Sequence, residues 1–178
     1  CAILGITSLD IHTTNSEMPI LDGSSKRWID VFRKAGVERA PKRPLIEIPK
    51  PIFYLNGKTH MVILPDKELN ITYAVNYNHP DLNNRWVSFN KKKIGEIVEA
   101  RTFGFLKDLK KFQLFGYAKG VTYDNTVGLD GKGYTTELRS EYEPVKHKIL
   151  DMIGDLYLSG YNPLDFKAQI IVKEAGHA

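Results

Sequence analysis

Three polar side chains that could do chemistry stand four residues apart in one segment: His147, Asp151 and Asp155. The segment predicts a helix over residues 144–159, because Pro144 suits a first helical turn and apolar residues recur at helical spacing. Four residues turn an α-helix by about 400°, so the three side chains share one slowly drifting stripe. Zinc takes imidazole and carboxylate ligands of this kind, and a catalytic zinc site needs a third protein ligand.

The same spacing has a plainer interpretation, in which His147 and Asp151 form a surface ion pair on an ordinary structural domain. Two features favour the metal: Asp155 adds a carboxylate to the stripe, and Lys148 adds a cation that could face an anion or a polarised carbonyl. A spacing motif by itself is a hypothesis. From these residues alone both interpretations stand.

Composition excludes several classes of protein. The 178 residues carry 25 basic and 21 acidic side chains, and a net charge of +4 is too small to indicate nucleic-acid binding. That charge is compatible with anionic ligands and with a weak contact with an anionic membrane surface. The single cysteine, Cys1, excludes a disulfide scaffold and a cysteine-rich zinc site. No apolar run approaches the ~20 residues of a transmembrane helix.

The elements that must position these residues alternate between strands and helices, with a strong hairpin signal at Asn56-Gly57. The pattern predicts an α+β fold with mixed or antiparallel sheets packed on helices. Helices are predicted near residues 28–35, 105–115 and 144–159. Strands are predicted near residues 9–13, 45–48, 51–55, 59–64, 70–77, 86–89, 94–103, 125–129 and 168–173.

A proline-rich stretch, residues 40–51, is the best candidate for a domain boundary. We therefore expect a first unit over residues 1–41 and a second over residues 42–178. Because the chain begins at Cys1 and is apolar from its start, we expect it to be a piece of a longer protein, with the first domain incomplete.

One long run closely resembles a known zinc helix. Residues 145–158 (VKHKILDMIGDLYL) are similar to the metal-binding helix of the UDP-3-O-acyl-N-acetylglucosamine deacetylase family, which performs the committed step of lipid A synthesis. Further segments match in the right order across essentially the whole chain. They are residues 17–24 (EMPILDGS), 78–80 (NHP), 100–105 (ARTFGF), the looser 122–125 (TYDN), and 176–178 (GHA).

The resemblance implies a role for each matching polar residue. His147 and Asp151 would be zinc ligands, and Thr102 would help to stabilise the oxyanion of the tetrahedral intermediate. His177 would be the charged general acid near the leaving amine, oriented by a hydrogen bond that it donates to Asp155. These roles agree with amide hydrolysis, which needs an activated water, oxyanion stabilisation and a proton for the amine.

The resemblance also implies how the substrate is held. Lys148 would contact it near the sugar or phosphate, and residues 103–123 would be an insert that forms an apolar passage for the fatty acyl chain. In the alternative interpretation, the apolar residues of this stretch only pack a helix on a sheet. The proposed lining is Phe103, Leu106, Leu109, Ala118 and Tyr123.

The function implied is zinc-dependent hydrolysis of the N-acetyl group of UDP-3-O-acyl-N-acetylglucosamine, with release of acetate. The resemblance implies a two-domain deacetylase fold and a Gram-negative bacterial source. It also implies a cytoplasmic monomer that needs Zn²⁺. We expect neither nucleic-acid binding nor a transmembrane segment.

The family's general-base glutamate and a neighbouring histidine, the third zinc ligand, would stand before Cys1. We therefore expect the 178 residues alone to bind zinc weakly and to hydrolyse nothing. The alternative is a non-catalytic relative that binds lipid or nucleotide-sugar without turnover.

Overall fold

A computed structural model describes residues 1–14, 18–38, 43–115 and 118–176 of the chain, apart from the side chain of Lys110. The helices are α1 (Lys26–Ala35), α2 (Ile94–Val98), α3 (Leu106–Leu114) and α4 (Glu143–Tyr157). The strands are β1 (Ile46–Glu47), β2 (Ile52–Asn56), β3 (Thr59–Pro65), β4 (Asn70–Val75), β5 (Arg85–Asn90), β6 (Phe103–Phe105), β7 (Val127–Leu129) and β8 (Phe166–Lys173).

The main sheet is mixed, and its order is β2-β3-β8-β4-β5, with β1 paired to the start of β8. Strand β8 runs antiparallel to β3 on one side and parallel to β4 on the other. Strands β6 and β7 form a separate parallel pair. The predicted α+β class with mixed sheets is confirmed.

The core lies between the main sheet and α4. Strand β8 turns Ile170 and Val172 to this core, where both are fully buried, while Ile171 between them is partly exposed. Helix α4 buries a stripe at helical spacing, which includes Val145 and Ile149. Strand β8 and helix α4, both predicted from the sequence, therefore form the centre of the domain. No helix among the described residues is long and apolar enough to cross a bilayer.

The predicted hairpin turn and the predicted end of the first helix are confirmed by local geometry. Strands β2 and β3 pair from Asn56 to Thr59 through a tight turn, in which Gly57 has φ of +56°. Helix α1 ends at Gly36, as its sequence predicts. The predicted domain boundary between residues 41 and 42 lies outside the described residues and stays a prediction.

Two predicted strands are wrong. Residues 9–13 alternate in polarity but have no regular secondary structure, and none of the described strands pairs with them. Alternation favours a strand only where a neighbour accepts its backbone hydrogen bonds.

The second error is the strand over residues 94–103, most of which is helix α2 and the turn after it. The side chain of Asn90 accepts a hydrogen bond of 2.8 Å from the backbone N–H of Lys92, which ends β5 and begins a helical turn. Ile97 is then buried on one face of the short helix. Only Phe103, at the end of the predicted strand, lies in β6.

The alternation of β8 gives a test of the fold. Ile170→Ala removes a fully buried side chain and should lower the free energy of unfolding by about 2–5 kcal/mol. Ile171→Ala changes the adjacent residue, which is 36% exposed, and should cost about 1 kcal/mol or less. Urea unfolding of both variants measures the difference, and equal losses would contradict this orientation of β8.

Candidate functional site

His147 and Asp151 face each other along α4, with Nε2 of the imidazole 3.2 Å from Oδ1 of the carboxylate. Nδ1 of His147 lies 2.9 Å from the carbonyl oxygen of Ala100. Since a carbonyl only accepts, Nδ1 must carry the hydrogen, and Nε2 of the neutral ring has the lone pair. Two acceptors at this distance require a shared proton or a metal ion between them.

This pair is not a solvent-exposed ion pair, because its side chains are only 13% and 19% exposed. The second carboxylate oxygen of Asp151 accepts a hydrogen bond of 2.9 Å from Nζ of Lys148, which is itself buried. Burial alone would raise the pKa of Asp151, but the interactions of its carboxyl group with His147 and with the charge of Lys148 lower that pKa to about 2. Asp151 is therefore a carboxylate at neutral pH, as a metal ligand must be.

The donor set fits part of a zinc site. One imidazole nitrogen and one carboxylate oxygen converge, and the ring is oriented by a backbone carbonyl through its other nitrogen, as in many metal-binding histidines. Among the described residues, no three His, Cys, Asp or Glu side chains come together as a metal site. The identity of the third ligand stays a prediction.

The segment from Ala100 to Thr102 enters β6 and is fixed on both sides. The backbone N–H of Thr102 donates to the carbonyl of Gly23 at 2.8 Å, and its carbonyl accepts from the N–H of Val127 at 2.8 Å. Because both backbone groups are bonded, the hydroxyl is the hydrogen-bond donor that Thr102 has to offer a ligand.

The backbone conformation and close packing at position 23 require a glycine. It has φ of +75°, and a Cβ on it would be 1.7 Å from the carbonyl oxygen of Asn125. No other residue fits this approach without a shift of the backbone. The segment over residues 18–24 is thereby held against the loop that precedes β7, and it supplies the carbonyl that positions Thr102.

A buried ion pair joins this segment to the start of α4. Glu143 is completely buried, and its Oε1 accepts hydrogen bonds of 2.9 Å from both the backbone N–H and Nε of Arg101. The backbone N–H of Arg139 donates to Oε2 at 2.7 Å. Burial raises the pKa of Glu143, but the hydrogen bonds from Arg101 and Arg139 outweigh it and leave that pKa below its usual value.

Sequence reasoning missed this pair. Arg101 stands inside a segment that resembles the family, and Glu143 stands directly before Pro144 at the start of the predicted helix. No spacing rule connects residues 42 positions apart. The one available signal was an arginine in an otherwise apolar stretch, since a buried charge needs a partner.

A cavity of about 760 Å³ lies between β6, α3 and the segment that leads to β7. This volume is in the range of small-molecule pockets. Thr102 lines the cavity, and so do all the residues predicted to form the acyl passage: Phe103, Leu106, Leu109, Ala118 and Tyr123. Tyr123 is 64% exposed, so the alternative that these residues only pack the core does not describe it.

His177 lies outside the described residues, and its pairing with Asp155 stays a prediction. Asp155 is exposed, one turn beyond Asp151 on α4. The hydroxyl of Tyr73 donates to the carbonyl of Ala175 at 2.6 Å. Burial raises the pKa of Tyr73, and the negative charges of Asp151 and Asp155 raise it further.

The other histidines have structural explanations or no special setting. His79 is buried, with Nε2 at 2.8 Å from the carbonyl oxygen of Asp130 and Nδ1 accepting from the N–H of Asp81. His60 is exposed on β3.

The mixed α+β domain thus has an oriented imidazole–carboxylate pair on α4, which the segment Ala100–Thr102 connects to an apolar cavity. The family model for UDP-3-O-acyl N-acetylglycosamine deacetylase matches residues 1–178. The chain belongs to this family, and the resemblance found in its sequence is confirmed.

Similar proteins include several curated UDP-3-O-acyl-N-acetylglucosamine deacetylases. The Leptospira biflexa protein is 39% identical over 181 residues, which cover 98% of this chain and 59% of that protein. The Thermodesulfovibrio yellowstonii protein is 37% identical over a match that covers 98% of this chain and 61% of that protein. The Acinetobacter baumannii (strain SDF) protein is 35% identical over a match that covers 99% of this chain and 61% of that protein. The chain spans about three fifths of the length of these relatives.

The buried ion pair gives a test of the site's architecture. Glu143→Gln leaves the Arg101 guanidinium buried without a counter-charge and should lower the free energy of unfolding by about 3–5 kcal/mol. Glu99→Gln breaks an exposed pair with Lys26 and should cost at most about 1 kcal/mol. Chemical unfolding compares them, and similar small losses would contradict the role given to Glu143.

The same carboxyl predicts a pH dependence. Because the pKa of folded Glu143 is below its unfolded value, its stabilising contribution is complete above the unfolded pKa. The contribution is lost as the pH falls through the folded pKa. Glu143→Gln should therefore lose less stability than the wild type on acidification, as measured by melting temperature against pH. Parallel curves would contradict the lowered pKa.

Proposed function

We propose that this chain belongs to a zinc-dependent deacetylase that hydrolyses the N-acetyl group of UDP-3-O-acyl-N-acetylglucosamine and releases acetate. One observation carries the proposal: the segment Ala100–Thr102 connects the His147–Asp151 pair to the apolar cavity. A reacting amide near Thr102 would have the metal-type donors on one side and room for a fatty acyl chain on the other. The names of the relatives support the same substrate.

His147 and Asp151 would hold the metal, together with ligands from outside the described residues. When bound, zinc would supply Lewis acidity toward the amide carbonyl and make a water nucleophilic near neutral pH. The Ala100 carbonyl keeps Nε2 of His147 available by holding the proton on Nδ1. Lys148 keeps Asp151 ionised.

Thr102 would donate its hydroxyl hydrogen to the amide oxygen as negative charge develops there. Its backbone is held by Gly23 and Val127, so the hydroxyl needs little reorganisation. His177 would give a proton to the amine nitrogen as the C–N bond breaks, and Asp155 would orient and charge that imidazole. Water would add its oxygen to the acetyl carbon before this bond breaks and would give a proton to the general-base glutamate that the resemblance implies. Acetate would then leave.

The fatty acyl chain would occupy the cavity, where Phe103, Leu106, Leu109, Ala118 and Tyr123 supply apolar contacts. Lys148 would contact the sugar or phosphate of the substrate while its ammonium also bonds Asp151. The family resemblance further supports a monomer that acts in the cytoplasm.

We also propose that the 178 residues alone bind zinc weakly and release no acetate. The described residues supply one nitrogen and one oxygen ligand, whereas a catalytic zinc site has three protein ligands. The general-base glutamate and the third ligand would come from sequence before Cys1, as the resemblance implies.

Zinc binding by the chain tests the ligand assignment. His147→Ala and Asp151→Ala should each weaken zinc binding by more than about tenfold, because each removes one of the two donors. His60→Ala, at an exposed histidine on β3, should leave the affinity unchanged. Competition with a chromophoric chelator measures the three affinities. Equal weakening by His60→Ala would contradict the assignment.

Acetate release by the complete protein tests the reaction. Thr102→Ala should lower kcat by about 10²–10³ with little change in KM, as expected for loss of a donor to the oxyanion. Thr102→Ser, which retains the hydroxyl, should keep most of the activity. If the complete protein binds the UDP-sugar but releases no acetate, the non-catalytic alternative is correct.

A further inference from the structure

The end of α3 exposes large apolar side chains to solvent. Phe112 is 52% exposed, Leu114 is 85% exposed and Phe115, directly after the helix, is 78% exposed. Single exposed apolar residues are ordinary on protein surfaces, whereas a cluster of this size marks an interaction surface. We call Phe112, Leu114 and Phe115, together with the exposed Lys107 and Lys111, the α3 face.

The α3 face is continuous with the cavity. Phe112 lines the cavity and is also half exposed, so the cavity reaches the surface at this side chain. Leu109, about one helical turn earlier, lines the cavity as well. Helix α3 is thus a wall of the cavity on one side and an apolar surface on the other.

The charge of this region is positive. The sequence of α3 contains Lys107, Lys110 and Lys111 against a single acidic residue, Asp108. Lys119, on the segment that forms the opposite wall, is exposed. Each lysine near an anionic bilayer strengthens binding by about fivefold, and apolar side chains add to this by entering the headgroup region.

We propose that the α3 face docks on an anionic lipid surface. A helix of nine residues is about 14 Å long, too short to span a bilayer, so it would lie along the interface with Leu114 and Phe115 inserted. This consequence rests on the proposed function: docking of the α3 face would let an acyl chain pass from lipid to cavity without crossing water.

A second exposed apolar group lies on the edge strand β2, where Phe53 is 68% exposed and Leu55 is 71% exposed. These residues do not line the cavity, whereas Phe112 connects the cavity to the α3 face. The continuity of cavity and surface is what favours α3 over β2 as the lipid contact.

The test is co-sedimentation of the protein with vesicles, in the presence of a chelator so that no metal is involved. The wild type should bind phosphatidylcholine vesicles that contain phosphatidylglycerol, bind pure phosphatidylcholine vesicles at least about tenfold more weakly, and lose binding as salt is added. The double variant Leu114→Glu/Phe115→Glu should lose the binding by more than about tenfold.

Two variants serve as matched controls. Leu158→Glu changes a leucine that is 87% exposed and lies after α4, and Phe53→Glu/Leu55→Glu changes the β2 group. Both should bind vesicles as the wild type does. Circular dichroism and melting temperature confirm that all variants are folded.

The proposal is overturned if the wild type does not bind the anionic vesicles, or if the α3 double variant binds them equally well. It is also overturned if the β2 variant loses binding instead. Self-association of the wild type that the α3 double variant abolishes, without vesicle binding, would make the α3 face a contact between copies. Because no metal or turnover enters the measurement, its failure leaves the proposed hydrolysis untouched.

Discussion

The buried ion pair between Arg101 and Glu143 is the constraint on which the candidate site depends. Removing two charges from water carries a desolvation penalty that offsets much of their mutual attraction. A buried ion pair is therefore favourable only when its remaining polar atoms also have hydrogen-bond partners. Here the guanidinium also donates to the carbonyls of Asp124 and Glu137, and Glu143 accepts from the backbone of Arg139. Among the described residues, no buried side-chain polar atom lacks a partner.

This pair fixes the distance between two parts of the site. Glu143 begins α4 one turn before His147, and Arg101 stands between Ala100 and Thr102. Holding Arg101 against Glu143 therefore brings the Ala100 carbonyl to Nδ1 of His147 and sets Thr102 at the cavity. The segment Ala100–Thr102 thus has polar contacts with α4 on one side and borders the cavity on the other.

The elements that the sequence predicts correctly are those in which local pattern and tertiary burial agree. Strand β8 alternates and is buried alternately, and α4 repeats its apolar residues at helical spacing against the sheet. The errors occur where a local pattern had no tertiary partner or was outweighed. Residues 9–13 have no described strand beside them, and the Asn90 side chain starts a helical turn before a run that is rich in β-branched residues.

By itself, the sequence determined that His147 and Asp151 share a face of one helix, because helical periodicity is local and depends only on spacing. Through the resemblance to a family, it also predicted apolar residues that line one cavity in the structure. Only the tertiary structure decided which nitrogen of His147 faces Asp151, because a carbonyl 47 residues away holds the other. Likewise, the cavity exists only where separate chain segments pack, since long-range packing and buried charge pairing leave no periodic signal in a single sequence.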